Sequence, residues 1–296
     1  MPFCVERVFT GPLMRYPGGP FLLSSELMKT QGLVDYHLHT DRCGHAVGSM
    51  EDYARRAQVL GLSEIGFSDH FPLLDMHDPS LNMSMEEVPE YVRDVEELRG
   101  LFPELRIRLG IEVDYIPETV DRLPALLQDH PFDYILGSIH YIDGWGFDHP
   151  RNIDGYEGRD IFQLWTRYFD LLGDAAECGL FDALAHPDLV KKFGYRPVED
   201  AGGLYRACLD RVAGAGLAVE VNTAGLRKPV EEIYPAEDFL RLCRERDIPV
   251  TLGSDAHSPD EVGEGFEQAL QLLRRVGYEE LTLYSQRKRF GLSLPS

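Results

Sequence analysis

Cysteine is scarce in this sequence, and its spacing does not suggest a disulfide framework. The 296 residues include five cysteines, which is an odd number, and no two of them form a Cys-x-x-Cys pair. An odd count without paired spacing is typical of proteins in a reducing compartment. We therefore predict a cytoplasmic protein.

Long apolar runs are also missing. No run reaches the ~18 consecutive apolar residues that a transmembrane helix needs, so we predict no membrane span. Near the amino terminus, Gly, Pro, Arg and Glu interrupt every short apolar run. This interruption excludes the continuous apolar core of a secretory signal peptide.

Basic residues are few. The chain has 29 Lys and Arg against 50 Asp and Glu, which gives a formal charge of −21. Such acidity argues against binding nucleic acid or an anionic membrane through bulk charge. A small anionic substrate stays possible, because bound cations can dominate the field inside a cleft.

Short apolar runs alternate with longer amphipathic stretches after residue 32. We predict strands at 33–37, 64–67, 106–113, 134–139, 183–186, 218–221 and 249–253, with 281–284 as an eighth strand or a tail. The predicted helices between and after them are 49–60, 84–100, 117–128, 159–179, 202–215, 236–246 and 259–275. This rhythm predicts an α/β fold with a parallel sheet, and the length fits a single closed barrel. An open, doubly wound sheet is the alternative, although no Gly-x-Gly-x-x-Gly follows the first strand.

Residues 1–31 differ from the rest, with several Gly-Pro combinations and no clear period. We predict a loosely ordered extension there, or an upstream start codon used in place of Met28. The alternative is a segment that packs on the body or on a neighbouring subunit. No linker divides residues 32–296, so we predict one domain.

Histidines mark the ends of the predicted strands. Of ten in the sequence, six end a strand or closely follow one: His37, His39, His70, His140, His186 and His257. Parallel barrel strands end on one face, which carries the active site, so these residues converge in space. His77, His130 and His149 lie in loops, and we predict them to be ordinary surface residues.

Three further residues extend this set. Glu112 interrupts an apolar strand, Asp255 stands two residues before His257, and His45 lies on the loop after the first strand. A single strand-end histidine is usually structural, but burying so many imidazoles and carboxylates without a cation would be costly. We therefore predict a metal cluster. Imidazole-rich ligation favours Zn, Fe or Mn, and eight or nine ligands imply two or three ions, with Glu112 able to bridge.

The ordered motifs resemble the polymerase and histidinol phosphatase (PHP) family, in its monofunctional histidinol-phosphatase branch. They are His-x-His at 37–39, Ser-Asp-His at 68–70, Gly-Ile-Glu-Val-Asp-Tyr at 110–115, Gly-Ser-Ile-His at 137–140, Ala-His-Pro-Asp at 185–188 and Ser-Asp-Ala-His at 254–257. The resemblance covers roughly residues 33–290. It implies a distorted (β/α)7 barrel with a trinuclear centre.

The resemblance also implies how the ligands divide. His37, His39, Glu112 and Asp255 would hold a first ion; Glu112 would bridge to a second, held also by His140 and His186; His45, His70 and His257 would hold the third. It implies that a metal-activated hydroxide hydrolyses L-histidinol phosphate in histidine biosynthesis, a chemistry that suits clustered metals.

Roles near the substrate are predicted from position. Arg227, just past a strand end, is a candidate for a bidentate phosphate contact or a surface residue, and Arg159 and Lys192 are weaker candidates. Either Asp255 or a metal-bound water would protonate the leaving alkoxide. Asp69 and Asp188 would orient imidazoles or cap turns. Asp143 would meet a substrate cation or simply form a turn.

Other functions stay open at this point. The first alternative is a PHP phosphoesterase acting on another small phosphomonoester or on nucleotide ends, although no basic groove suggests long nucleic acids. A binding module with a structural cluster is the second, and a metal-dependent amidohydrolase is the third. The oligomeric state cannot be predicted from the sequence.

Overall fold

The structure is a computed structural model that describes residues 30–75 and 80–295. Within these ranges the strands are β1 Val34–Leu38, β2 Glu64–Phe67, β3 Arg106–Asp114, β4 Tyr134–Ser138, β5 Tyr141–Ile142, β6 Trp145–Gly146, β7 Ala183–Leu184, β8 Ala218–Asn222, β9 Val250–Gly253, β10 Glu280–Ser285 and β11 Lys288–Ser293. The α-helices described there are α1 Met50–Leu60, α2 Val88–Leu101, α3 Leu123–Leu127, α4 Ile161–Glu177, α5 Gly202–Ala215, α6 Glu237–Glu245 and α7 Phe266–Val276.

Seven parallel strands form a nearly closed barrel with helices around it. Their order is β1-β2-β3-β4-β7-β8-β9, and every neighbouring pair is parallel. The ring closes beyond the end of β9, where the Ala256 N–H donates to the His37 carbonyl at 3.2 Å and the His39 N–H donates to the Ala256 carbonyl at 3.0 Å. The predicted (β/α)7 barrel is therefore confirmed.

Most predicted elements form, and the departures have local causes. The predicted strand 183–186 ends at Leu184, because His186 adopts a positive φ of 24°. The predicted helix 259–275 begins only at Phe266, since Gly263 and Gly265 also take positive φ values. The predicted helix 117–128 is shorter as well, and it consists of a 3-10 turn followed by α3.

The segment 281–284 is a strand, but it lies outside the barrel. It belongs to β10, which forms an antiparallel hairpin with β11. The hairpin packs across the amino-terminal end of the barrel, where the Tyr284 hydroxyl donates to the Asp182 carbonyl just before β7. Arg108, near the start of β3, reaches Ser285 in the same region. The carboxyl-terminal end of the barrel is therefore left to the loops that follow each strand.

None of the helices within the described ranges combines the length and apolar character that a bilayer-spanning segment requires. The amino-terminal extension predicted for residues 1–31 lies almost entirely outside those ranges.

A tyrosine fills the barrel interior between two glycines. The Tyr134 ring lies so close to β2 and β3 that a Cβ at Gly66 would stand 2.1 Å from its hydroxyl oxygen, and one at Gly110 would stand 2.2 Å from its Cζ. The Tyr134 hydroxyl also donates to the Tyr36 carbonyl at 2.7 Å. Glycine at these two positions lets the ring bridge the barrel.

We expect Gly110→Ala to lower the free energy of unfolding by about 1–3 kcal/mol or more, because the added methyl overpacks the core against Tyr134. The matched control is Gly100→Ala in α2, where a Cβ meets no atom within 4 Å. There alanine should stabilise by about 0.5–1 kcal/mol through its helix preference. Urea unfolding midpoints measure both changes, and equal midpoints for the two variants would contradict this description of the core.

Candidate metal centre

All nine residues predicted as metal ligands are brought to the carboxyl-terminal end of the barrel. His37 lies on β1, and His39 and His45 follow that strand. Glu112 lies on β3. The other five follow their strands: His70 after β2, His140 after β4, His186 after β7, and Asp255 and His257 after β9. The chain closure described above sets residues 37–39 beside residues 255–257 through a parallel bridge between Leu38 and Ala256. The two i, i+2 motifs therefore face the same space.

Glu112 lies at the centre of the group. Its side chain is 1% exposed. One carboxylate oxygen is 2.9 Å from His186 Nε2 and 3.7 Å from His140 Nε2, and the other is 2.9 Å from His70 Nδ1 and 3.4 Å from His37 Nε2. The two oxygens thus face different sets of imidazoles, which is the arrangement that a bridging carboxylate needs.

Asp255 forms a second carboxylate focus beside Glu112. Its Oδ1 is 3.2 Å from His39 Nε2, 3.9 Å from His37 Nε2 and 3.5 Å from His257 Nδ1. The residue has a φ of +52°, and a non-glycine residue in this region carries a strain that the surroundings must impose. The main chain is thus bent to aim this carboxylate at the imidazoles.

A third group consists of imidazoles alone. Ring nitrogens of His45, His70 and His257 lie within 4.8 Å of one another, at the spacing expected of ligands to one ion. His45 Nδ1 is 2.8 Å from the Cys43 carbonyl and 3.1 Å from the Ser80 carbonyl, so Nδ1 carries the hydrogen. Its Nε2 is therefore the nitrogen with a lone pair for a metal.

The donor atoms themselves indicate that a cation belongs here. Buried side-chain atoms without a hydrogen-bond partner include both ring nitrogens of His39, Nε2 of His37 and Nδ1 of His186. Buried polar groups in proteins are normally satisfied, and imidazole nitrogens with carboxylate oxygens are the donors that Zn, Fe and Mn prefer. The residues present therefore fit a metal centre.

The ionisation of the group agrees with this fit. Burial raises the pKa of Glu112, but the nearby imidazoles, first those of His70 and His37, hold it well below its usual range. Burial likewise raises the pKa of Asp255, and His37 and His39 outweigh it. Both carboxylates are thus negatively charged at neutral pH, which favours cations at their centre.

Two further carboxylates contact imidazoles of the cluster without being predicted ligands. Asp114 Oδ1 is 2.9 Å from His140 Nδ1, and Glu220 Oε1 is 2.8 Å from His37 Nδ1. Both were missed in the sequence, although Glu220 has the feature that identified Glu112, a carboxylate within an apolar strand. Such partners fix the tautomer and ring orientation of metal-binding histidines.

The two aspartates predicted to orient imidazoles differ in their contacts. Asp69 Oδ1 is 3.5 Å from His39 Nδ1, and its other oxygen accepts from the Thr40 main chain. Asp188 instead accepts from Lys191 Nζ and from the Ala236 N–H, each at 2.8 Å. Asp188 therefore ties two loops together, and its prediction as an imidazole partner is not supported by these contacts.

The predicted substrate-binding residues occupy different surroundings. Lys192 Nζ is 2.9 Å from Asp148 Oδ2. Burial raises the pKa of Asp148, but Lys192 and then His140 lower it to about 2, so this ion pair borders the imidazole cluster.

Arg227 is held by the main chain. Its Nη2 donates to the carbonyls of Ser254 and Asp255 at 2.8 and 3.1 Å, and the guanidinium also faces Glu261 and Glu264 at 3.7 and 3.5 Å. These contacts indicate that Arg227 stabilises the main chain of the loop that carries Asp255.

Arg159 and Asp143 are exposed and contact other side chains near the surface. The Arg159 guanidinium stacks over the Trp145 ring, 4.3 Å from its centroid. Asp143 sits in the turn after β5 with a φ of +50° and pairs with Arg167 at 2.8 Å. The second interpretation of Asp143, a turn residue, agrees with these contacts.

The loop histidines lie apart from the cluster wherever the structure describes them. His130 packs beside Phe132, and the ring of His149 accepts from the Arg151 N–H. His77 lies outside the described residues.

Comparisons with known proteins agree with the motifs. The family model described as "PHP domain" matches residues 35–224, and the model described as "PHP-associated" matches residues 238–268. The probable histidinol-phosphatase of Deinococcus radiodurans is 45% identical over 252 residues, which cover 85% of this chain and 96% of that protein. The histidinol-phosphatase of Bacillus subtilis is 30% identical over 263 residues, which cover 80% of this chain and 98% of that protein.

A solved structure has the same fold. The crystal structure of histidinol phosphate phosphatase from Lactococcus lactis, complexed with zinc, L-histidinol and phosphate, superposes with a TM-score of 0.73. It is 22% identical, and the match covers 88% of this chain and 99% of that one. With the first family model spanning more than half of its residues, this chain belongs to the PHP family.

Proposed function

We propose that this protein is a metal-dependent phosphomonoesterase that hydrolyses L-histidinol phosphate to L-histidinol and phosphate, as part of histidine biosynthesis. The observation that carries the proposal is the complete set of nine His, Asp and Glu side chains gathered at one end of the barrel. The relative from Deinococcus radiodurans, which bears the name of this activity, matches over nearly its whole length.

The metal content follows from the same residues. We propose two or three divalent ions of Zn, Fe or Mn, held by the three groups of side chains that the family resemblance implies. Zinc in the Lactococcus lactis structure supports this choice. Such ions, when bound, supply a hydroxide nucleophile at neutral pH and stabilise the charge on the phosphoryl oxygens.

The protein's own cations would complete the phosphate site. Burial lowers the pKa of Lys228, the nearby Asp255 opposes this, and Lys192 and Arg227 lower it further, so Lys228 lies near Asp255 and near the other two cations. We propose that Lys192 contacts the phosphate and that Lys228, missed in the sequence, adds to the positive field. Arg227 acts chiefly by holding the consecutive main-chain carbonyls of Ser254 and Asp255.

Two further assignments belong to this proposal. Asp255 is retained as a candidate for relaying a proton from a water to the leaving alkoxide, because it is ionised and lies among the imidazoles at the reaction centre; direct protonation by that water is the alternative. We also propose that residues 32–296 act as one cytoplasmic barrel domain and that its partner is a small phosphate ester.

Substrate selectivity is the first test. We expect kcat/KM for L-histidinol phosphate to exceed that for p-nitrophenyl phosphate and for a nucleoside monophosphate by ~10³ or more, about 4 kcal/mol of transition-state discrimination. Phosphate release is measured with protein reloaded with Mn, Fe or Zn. Similar feeble rates on all three esters would move the function to another small phosphomonoester.

Removing a ligand tests the metal centre. We expect His39→Ala to bind fewer metal ions per chain and to lose phosphatase activity, because this imidazole faces Asp255 at the core of the cluster. His130→Ala, which removes an imidazole beside Phe132, is the control and should keep both. Metal is counted by elemental analysis after gel filtration, and an unchanged metal count in His39→Ala would show that the ligand set is wrong.

Charge removal tests the phosphate site. Lys192→Ala should reduce kcat/KM for L-histidinol phosphate by about 10- to 100-fold, the range expected when one hydrogen bond to a charged group is lost. Its metal content should stay that of the wild type. Lys288→Ala, on the exposed hairpin strand β11, serves as the control. Equal kcat/KM values in Lys192→Ala and the control would remove Lys192 from the site.

A further inference from the structure

Strand β8 carries none of the nine predicted ligands, yet two of its residues contact three of them. Glu220 and Asn222 stand two apart on β8 and are fully buried. Their side chains reach His37 on β1, His186 after β7 and Asp255 after β9. Strand β8 therefore contacts three predicted ligands through side chains that are not predicted ligands themselves.

Every hydrogen bond that the structure describes for the Glu220 carboxylate joins it to a predicted ligand or to Asn222. Oε1 lies 2.8 Å from His37 Nδ1. Oε2 accepts from the His186 main-chain N–H at 2.9 Å and from Asn222 Nδ2 at 2.9 Å. One carboxylate thus joins the side chain of one predicted ligand to the main chain of another.

Another buried glutamate shows what a purely structural role looks like in this barrel. Glu64, on β2, is 1% exposed and pairs with Arg106 at 2.8 Å and with Arg108 at 2.6 Å. Among the described contacts of Glu220 there is no Arg or Lys, and the only ionisable partner is His37. The described ionisable contact of Glu220 therefore lies on the side of the cluster.

The backbone around Glu220 is shaped for these contacts. His186 has a φ of +24°, and its N–H is held by the Glu220 carboxylate. On β9, a Cβ at Gly253 would stand 2.1 Å from Glu220 Oε1 and 2.6 Å from His37 Cβ. Glycine is thus required where the carboxylate and the imidazole meet.

We propose that Glu220 is a positioning residue of the metal centre. It keeps the hydrogen of His37 on Nδ1, so that Nε2 faces Glu112 and Asp255, and it holds the strained main chain of His186. Carboxylates in this position fix the tautomer of metal-binding histidines and raise their basicity. The inference rests on the metal-dependent function proposed above.

Glu220→Gln tests the proposal with little change in volume. The new NH₂ group must face a donor, either Nδ1–H of His37 or the groups that now donate to Oε2. We expect metal affinity, measured by competition with a chelator, to fall about 10- to 100-fold. We also expect the visible spectrum of the Co²⁺-loaded protein to change, because the coordination geometry at His37 relaxes.

Glu64→Gln is the matched control, since it removes an equally buried carboxylate at the other end of the barrel. It should lower the urea unfolding midpoint while leaving metal affinity and the Co²⁺ spectrum unchanged. A folded Glu220→Gln protein with wild-type affinity and spectrum would overturn the proposal.

A second measurement needs no variant and therefore does not depend on Glu220→Gln folding. In the zinc-loaded wild-type protein, nitrogen NMR should show His37 with metal on Nε2 and a strongly downfield hydrogen on Nδ1. Metal on Nδ1 would overturn the proposal. Wild-type protein that binds metal but releases no phosphate from L-histidinol phosphate would refute the proposed substrate and leave the positioning role standing.

Discussion

The concentration of imidazoles and carboxylates at one buried end of the barrel is the constraint on which the rest of the structure depends. Each such group costs several kcal/mol to remove from water unless a partner compensates it. Glu112 faces imidazoles with both oxygens, and unpaired ring nitrogens remain on His37 and His39. The divalent cations proposed here would satisfy these atoms together, which no single protein partner could do.

The barrel meets this constraint through its ring closure and through carboxylates that contact the imidazoles without being predicted ligands. Pairing of Ala256 with the main chain of His37 and His39 aligns the first strand with the segment after the last one. Behind the imidazoles, Asp114 and Glu220 orient His140 and His37. The opposite end of the barrel is closed by the carboxyl-terminal hairpin, so chemistry and structural packing occupy separate ends.

The barrel could be predicted because strands and helices alternate along the sequence. The meeting of the nine side chains at one end could be predicted because a histidine or carboxylate in or after an apolar strand is visible without a structure. Contacts between distant segments were not predictable. Glu220 and His37 stand 183 positions apart, and no local pattern pairs them. Asp188 pairs with Lys191 on its own loop, whereas Arg227 donates to main-chain carbonyls of the loop after β9. Such partners compete with the imidazoles and with a phosphate for these side chains. The predicted helix 259–275 begins late, at Phe266, because Gly263 and Gly265 adopt positive φ values.

The most direct test of the central claim is a crystal structure of the metal-loaded protein, with anomalous diffraction recorded at the absorption edge of the bound metal. We expect two or three anomalous peaks at the carboxyl-terminal end of the barrel, with Glu112 contacting two of them and with His45, His70 and His257 around another. A cluster without anomalous peaks, closed by direct hydrogen bonds between protonated imidazoles and the carboxylates, would contradict the claim.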